Sequence, residues 1–166
     1  KVVEVKLGET SSIDAVLKPL TSAGRLRVEG AGLEGGTLTV DAFERQFGTN
    51  VLGHFALTGL LWPALQASPA ARVVTVSSLM AWSAWLDLGD LQSERRYSPM
   101  NTYSRSKLAD LVFMLELQRR AAGSSVRSVG AHPGGSSTNL QRHAFSGMMG
   151  VFGQSAAAGA LPSLYA

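Results

Sequence analysis

Two short strand-like runs, separated by one long helix-like segment, constrain the fold of this 166-residue chain more than any other feature. The run "ARVVTVS" at 71–77 is almost continuously apolar, which is typical of a strand buried on both faces of a parallel sheet. The run "SVRSVGA" at 125–131 predicts a second buried strand. Between them, 101–122 carries a predicted core stripe at helical spacing, namely Leu108, Leu111, Val112 and Leu115. Strand, helix and strand in this order predict a βαβ unit.

The first part of the chain predicts further elements of the same kind. The run "KVVEVKL" predicts a strand at 2–7, Ser11 then caps a helix over 11–20, and "RLRV" predicts a short strand at 25–28. A long helix follows over 41–66. We therefore expect an incomplete, doubly wound parallel sheet in a three-layer α/β/α arrangement, in the order 2–7, 25–28, 71–77, 125–131. The alternative is that 2–7 stays detached from the sheet.

Composition excludes several classes of function. With 45% apolar residues, 1–166 is expected to form one partial domain with a real core. The chain has no cysteine, so we expect a reducing, cytoplasmic location without disulfides or thiolate chemistry. The three histidines lack ligand spacing, which argues against a metal site. The net charge of +3 is scattered, so no nucleic-acid surface is expected, and the apolar run 51–65 is too short and polar to span a membrane.

Polar residues collect where the predicted strands end. Ser77 and Ser78 follow one strand, Pro133-Gly134 follows another, and Tyr103 lies four residues before Lys107 at the start of the connecting helix. Parallel α/β sheets place their sites at this carboxyl edge. An ammonium beside a phenol favours the phenolate, which prepares such a phenol to donate or accept a proton near neutral pH.

Each feature also has an ordinary structural explanation. A tyrosine and a lysine four apart on a helix most often form a surface contact, and Ser77-Ser78 after a strand is usually a turn. Asn50 fits a solvent-facing helix position, and Pro133-Gly134 fits a loop. The joint order of these residues along one sheet edge is what favours a catalytic interpretation.

In that order, the motifs resemble those of the short-chain dehydrogenases/reductases, and the similarity is good over about 38–142. The segment "YSRSK" is similar to the Tyr-x-x-x-Lys of that family, and "RVVTVSS" resembles its catalytic-serine strand. "FERQFGTNVLGHFALTGLLWPAL" resembles the helix that carries its asparagine, and "AHPGGSSTNL" resembles its Pro-Gly segment. The spacing and "SKLADLVFMLELQRR" are most similar to the branch with retinol dehydrogenases and WW-domain oxidoreductases.

The resemblance implies a Rossmann-like fold and an oxidoreductase that transfers hydride between NAD or NADP and an alcohol or carbonyl. It implies Tyr103 as general acid/base, with Lys107, Ser78 and Asn50 as its partners. The nicotinamide cofactor would contact Gly30, Ala31, Gly32, Tyr103, Lys107, Pro133, Gly134 and Thr138. The apolar loop 78–100 favours a bulky apolar small-molecule substrate. The helices 41–66 and 101–122 would form a homodimer interface, as is common in the family.

Three departures from the family pattern support a second hypothesis, that of a truncated and inactive fragment which at most mediates association. The glycine motif Thr-Gly-x-x-x-Gly-x-Gly, which holds the pyrophosphate, is absent, and "GAGLEG" at 30–35 opens no helix directly. Glu29-Gly30 replaces the two asparagines of the family's Asn-Asn-Ala-Gly, and Lys6 lies where it has an acidic residue. We therefore expect weak or absent NAD(P) binding by these residues alone.

Overall fold

The computed structural model describes residues 11–12, 27–28, 43–135 and 153–166. In chain order its elements are β1 (Ser11–Ser12), β2 (Arg27–Val28), α1 (Arg45–Phe47), a π-helical segment (Gly48–Leu52), α2 (Gly53–Ala67), β3 (Arg72–Val76), a 3-10 helix (Leu79–Ser83), α3 (Pro99–Arg120), β4 (Arg127–Ala131) and α4 (Ala156–Tyr165).

The predicted βαβ unit forms the centre of the described fold. Strands β3 and β4 pair in parallel, from Arg72 opposite Arg127 to Val76 opposite Ala131. Helix α3 connects them and packs against both strands. Ala71, Ala121 and Val126 form a buried cluster at the amino end of the two strands, and the partly buried Trp62, Leu65 and Val73 pack around it. The predicted strands 71–77 and 125–131 are thus confirmed to within two residues at each end.

Helix α3 is held in place by contacts between the loop before it and the start of α1. The buried Glu44 caps α1, because its carboxylate accepts hydrogen bonds from the backbone N–H groups of Gln46 at 2.9 Å and Phe47 at 2.7 Å. Its own N–H donates to Gln92 Oε1 at 2.7 Å. Gln46 Nε2 donates to the Pro99 carbonyl at 3.0 Å, directly at the first turn of α3. These bonds fix where the helix with the candidate site begins.

The arrangement expected for the first part of the chain is wrong where the structure describes it. Ser11 and Ser12, predicted to open a helix over 11–20, form β1 and pair antiparallel with β2, with Ser11 opposite Val28. Strand β2 was predicted at 25–28, but it belongs to this separate pair and not to the sheet of β3 and β4. The expected order 2–7, 25–28, 71–77, 125–131 is therefore not formed by the described strands.

The physical reason for this error lies in the local pattern, which does not choose a partner. Serine hydroxyls compete with the backbone for hydrogen bonds, so "SS" serves equally as a helix cap and as an extended pair. An open strand edge takes whichever segment reaches it, and a nearby segment that turns back pairs antiparallel. The predicted strand 2–7 and the rest of the predicted helix 11–20 lie outside the described residues.

Part of the predicted core stripe of α3 faces outwards. Val112 is 50% exposed and Leu115 is 64% exposed, while Phe55 on α2 is 63% exposed. The Phe55 and Phe113 rings meet edge to face with centroids 6.0 Å apart, so α2 and α3 touch through these two side chains. Helical spacing correctly predicted an apolar face, but it did not indicate what covers that face. None of the helices in the described part of the chain has the length and apolar character needed to cross a bilayer.

Candidate active site

Lys107 reaches from the second turn of α3 to the carboxyl end of β3. Its Nζ donates to the Val76 carbonyl at 3.0 Å and to Asp110 Oδ2 at 2.9 Å, and its side chain is only 12% exposed. Two acceptors on different elements therefore direct a nearly buried ammonium. The positive charge of Lys107 therefore lies at the carboxyl edge of the sheet, where the sequence predicted a site.

The two serines after β3 have different surroundings. Ser77 Oγ donates to the Lys107 carbonyl at 2.8 Å, so Ser77 ties the strand end to α3. Ser78 is half-buried and caps the 3-10 helix, where its Oγ accepts from Met80 N–H at 3.2 Å. An acceptor bond leaves the Ser78 hydroxyl hydrogen available for a further acceptor. Of the pair, Ser78 is thus the one whose hydroxyl hydrogen has no acceptor among the described residues.

Asn50 lies in the π-helical segment between α1 and α2. The segment closes with an i to i+5 bond from Gly53 N–H to the Gly48 carbonyl. Such π-helical turns are rare in proteins overall, and those that occur often lie at functional sites. Asn50 Nδ2 donates to Ser106 Oγ at 2.9 Å, and Ser106 Oγ donates to the Tyr103 carbonyl at 2.8 Å. Asn50 is therefore connected to the turn of α3 that joins Tyr103 to Lys107.

Tyr103 is half-buried in the first turns of α3, which also packs against the 3-10 helix and the π-helical segment. Within the described part of the chain its hydroxyl has no hydrogen-bond partner, and it is not bonded to Ser78. The structure thus connects Lys107, Asn50 and the end of β3 through α3. The direct contact between the Tyr103 and Ser78 hydroxyls is not made.

Only some of the predicted cofactor residues lie among the described ones. Pro133 and Gly134 follow β4, and the Pro133 carbonyl accepts a hydrogen bond from the Gln154 side chain. Gly134 has φ of +70°, and a Cβ there would lie 2.7 Å from Gln154 Nε2, so both backbone and space favour glycine. Gly30, Ala31, Gly32 and Thr138 lie outside the described residues.

Two residues of this region were not predicted as site residues. Ser106 is fully buried between Asn50 and Tyr103, and Asp110 is 1% exposed beside Lys107. The signal for Asp110 was present in the sequence, because an acidic residue three positions after Lys107 shares its helix face. For Ser106 the sequence carries no comparable signal, since a serine in mid-helix usually faces solvent.

Burial dominates the electrostatics around Lys107. It raises the pKa of Asp110, and the nearby Lys107 charge opposes that change. His54 on α2 is exposed as a whole residue, yet desolvation of its ring lowers the pKa of His54, against the opposing effect of the Asp110 carboxylate. No group of three or more residues suited to a metal ion occurs among 43–135 and 153–166. The described site therefore offers hydroxyls, one amine and one buried carboxylate.

A parallel βαβ unit with hydroxyl and amine groups at its carboxyl edge defines an α/β protein whose candidate site lies where parallel sheets place theirs. A sequence profile described as short chain dehydrogenase matches residues 9–148. The chain therefore belongs to the short-chain dehydrogenase family. The expected fold class, an incomplete Rossmann-like α/β sheet, is confirmed by the solved relatives below.

Known relatives agree with the branch indicated by the sequence. Mouse (Mus musculus) retinol dehydrogenase 14 is 48% identical over 107 residues, which are 64% of this chain and 32% of that protein. Mouse polyprenol dehydrogenase is 48% identical over 127 residues, or 72% of this chain and 38% of that protein. This chain thus spans about a third of the length of the curated relatives it matches.

Among solved structures, an uncharacterised protein from Mycobacterium paratuberculosis matches with a TM-score of 0.66 and 48% identity, over 82% of this chain and 46% of that one. A short chain dehydrogenase from Pseudomonas syringae matches with a TM-score of 0.61 and 21% identity, over 82% of this chain and 52% of that one. At that identity, the second match shows the fold alone.

Proposed function

We propose that the chain contributes the reacting half of an NAD(P)-dependent oxidoreductase, which interconverts an alcohol and a carbonyl. The observation that carries this proposal is the Tyr103 hydroxyl, which has no hydrogen-bond partner among the described residues and lies on the same helix face as Lys107, whose amine is anchored at the end of β3. A phenol that makes no such bond within the described part of the fold can exchange a proton with a substrate oxygen.

The other predicted site residues have supporting roles. Ser78 would donate a hydrogen bond to the substrate oxygen and orient it toward the Tyr103 hydroxyl. Lys107 would favour the phenolate through its charge. Asn50 would hold the Tyr103–Lys107 turn of α3 in place through Ser106, the route that the hydrogen bonds support. A water held by Asn50 that links Lys107 to solvent, as the family resemblance implies, remains part of the proposal.

The described residues fit the nicotinamide end of the cofactor, NAD or NADP. The Tyr103 hydroxyl has no partner among them, and Lys107 keeps one of its three N–H groups uncommitted there. When bound, the nicotinamide would supply or accept the hydride, which no side chain can do. Gly30, Ala31, Gly32 and Thr138 stay proposed contacts on the strength of the family resemblance.

The proposed substrate is a bulky apolar alcohol or carbonyl compound. The residues after Ser78 leave large apolar side chains in solvent, with Trp82 88% exposed, Trp85 79% exposed and Leu79 65% exposed. The similar proteins named as retinol dehydrogenase and polyprenol dehydrogenase support the same substrate class. A cytoplasmic location remains an expectation based on the cysteine-free composition.

Turnover and cofactor binding test this function together. The full-length polypeptide carrying this sequence is incubated with NAD⁺ or NADP⁺ and a series of alcohols, from ethanol to long-chain and polyisoprenoid alcohols, while reduced nicotinamide is followed by absorbance. We expect turnover that rises with the apolar length of the alcohol. Calorimetry with each cofactor gives the second measurement. Cofactor binding without turnover of any alcohol or aldehyde contradicts the proposal.

The second candidate function is an association module without catalysis. The exposed apolar side chains of α2 and α3 favour it. Absence of both cofactor binding and turnover, in a polypeptide that unfolds cooperatively, would support this candidate over the oxidoreductase.

In either case we propose a homodimer through α2 and α3, and Leu115→Glu should disrupt it. Leu115 is 64% exposed on α3, next to the exposed Val112, so a glutamate there would bury an unpaired charge if the copies pack through this face of α3. We expect dimerisation to weaken by roughly tenfold or more, measured by sedimentation equilibrium. Leu164→Glu is the control, because Leu164 is 76% exposed on α4. Equal effects of the two substitutions would argue against this interface.

A further inference from the structure

Asp110 completes a row of three functional groups along one face of α3. Tyr103, Lys107 and Asp110 lie at positions i, i+4 and i+7, which stack above one another on a helix. Asp110 is 1% exposed, and its Oδ2 accepts from Lys107 Nζ at 2.9 Å. Its Oδ1 is buried and has no hydrogen-bond partner within the described part of the chain.

A carboxylate in this position is costly to the fold. A buried charged group stabilises a protein only when its hydrogen-bonding capacity is used, and half of the acceptor capacity of Asp110 is unused. In agreement with this, burial raises the pKa of Asp110 despite the adjacent ammonium. The residue therefore contributes little stability of its own at neutral pH, which favours a role in the site.

The geometry indicates what that role is. The Lys107 amine donates to the Val76 carbonyl on one side and to the Asp110 carboxylate on the other. These two bonds hold the amine at the end of β3 and keep it from extending into solvent. A carboxylate 2.9 Å from the amine also offsets part of the positive charge that reaches Tyr103. Both effects act through Lys107 and not by contact with a substrate.

We propose that Asp110 is a positioning residue, which holds the Lys107 ammonium at the end of β3 and weakens the positive field that this ammonium exerts on the Tyr103 hydroxyl. The part concerning Tyr103 rests on the proposed function. Asp110 thereby sets the pH range in which alcohol oxidation proceeds, because a weaker positive field requires a higher pH for the phenolate to form.

Few other titratable groups face Asp110 from the elements packed against it. On α3 these are Lys107 and, one turn further, Tyr103. From α2 it is His54, whose pKa is lowered chiefly by desolvation and raised in part by the Asp110 carboxylate. Strand β3 contributes a backbone carbonyl of Val76 and no ionisable group near the pair. Among the described residues, Lys107 is thus the main charge on which Asp110 acts.

The test substitutes Asp110→Asn, which keeps the size of the side chain and removes its charge. The pH at which alcohol oxidation by the full-length polypeptide reaches half of its maximum should fall by about one unit. Glu116→Gln is the matched control, because Glu116 is an exposed acidic residue on the same helix that pairs with Arg119 and not with the site. We expect the control to keep the original pH profile.

A second measurement does not depend on turnover. The rate at which an amine-reactive reagent labels Lys107 is followed by mass spectrometry at fixed pH, with the other lysines, Lys1, Lys6 and Lys18, as internal references. In Asp110→Asn this rate should rise about tenfold relative to the references, because the amine loses the charged hydrogen-bond acceptor that holds it in place at the end of β3. Far-ultraviolet circular dichroism shows whether each variant remains folded.

The two measurements separate the possible failures. If the unsubstituted protein has no turnover, the proposed oxidoreductase function fails, and the labelling rate alone decides whether Asp110 holds Lys107. If the protein is active and Asp110→Asn leaves the pH profile unchanged, the inferred role at Tyr103 is overturned while the function stands. An unchanged labelling rate of Lys107 overturns the positioning role itself.

Discussion

Replacing Tyr103 by phenylalanine should lower alcohol turnover by the full-length polypeptide about 10²- to 10⁴-fold and leave its cofactor affinity nearly unchanged. The substitution removes one hydroxyl and keeps the ring. In the described part of the chain that hydroxyl makes no hydrogen bond, so its removal leaves no buried group without a partner. The loss would therefore be one of proton transfer and not one of folding.

Steady-state rates, a fluorescence titration with NADPH and thermal unfolding are the three measurements that check this. Tyr165→Phe serves as the matched control, because Tyr165 lies 83% exposed at the end of α4. The control should be indistinguishable from the unsubstituted protein in all three. Turnover within about tenfold of the original rate in Tyr103→Phe would exclude this residue as the general acid/base.

Of the single substitutions considered, Lys107→Met should cause the largest decrease in the free energy of unfolding. It leaves the buried carboxylate of Asp110 without its cation, and removing one partner of a buried pair costs ~3–5 kcal/mol in the free energy of unfolding at neutral pH. Arg119→Met is the control, because it removes the cation of an exposed pair with the same i, i+3 spacing. We expect little change there, since exposed ion pairs contribute little.

The pH dependence of this loss has a definite sign. The pKa of Asp110 is already raised above 3.8 by burial, and loss of the Lys107 charge raises it further. A carboxyl with a raised pKa in the folded state contributes stability that is fully present below pH 3.8 and is lost as the pH rises through the folded-state value. The deficit of Lys107→Met relative to the unsubstituted protein should therefore shrink toward acid pH.

Denaturant unfolding at several pH values measures this difference. Adding Asp110→Asn to Lys107→Met should restore most of the lost stability at neutral pH, because a neutral amide does not require a cation. If the double variant remains as unstable as Lys107→Met alone, the loss comes from packing of the lysine stem and not from the unpaired carboxylate.

The sequence predicted the central part of the fold because local signals and final contacts agree there. Near-continuous apolar residues mark β3, and an apolar helical period marks α3. The same reasoning failed for Ser11 and Ser12, where the partner of an extended segment is decided by which strand edge lies within reach. It failed again for Val112 and Leu115, because spacing identifies an apolar face and not the surface that covers it.

In the candidate site, too, some features were predicted from the sequence and others were not. The family resemblance located Asn50, Ser78, Tyr103 and Lys107 by their order along the chain, and the structure connects three of these positions through α3. The sequence did not indicate the groups that link these residues, namely the Ser106 hydroxyl and the Val76 carbonyl. The link from Asn50 to Ser106 joins residues 56 positions apart, and the bond from Lys107 to the Val76 carbonyl joins residues 31 positions apart. Such contacts depend on how elements pack, which a single sequence does not encode in its local pattern.

The π-helical segment also changes which residues before and after it share one side of the helical rod. A π-helical turn accommodates about one extra residue, which rotates everything after it by roughly 100° relative to an uninterrupted α-helix. Phe47 directly precedes this segment and is 7% exposed, whereas Phe55 follows it and is 63% exposed. Eight residues apart, the two rings would differ by roughly 80° around an ideal α-helix, and the π-helical turn reduces this difference to roughly 20°. Their different exposure therefore reflects which neighbouring elements cover each turn of the rod, as α3 does at α1, and not a difference in helical phase.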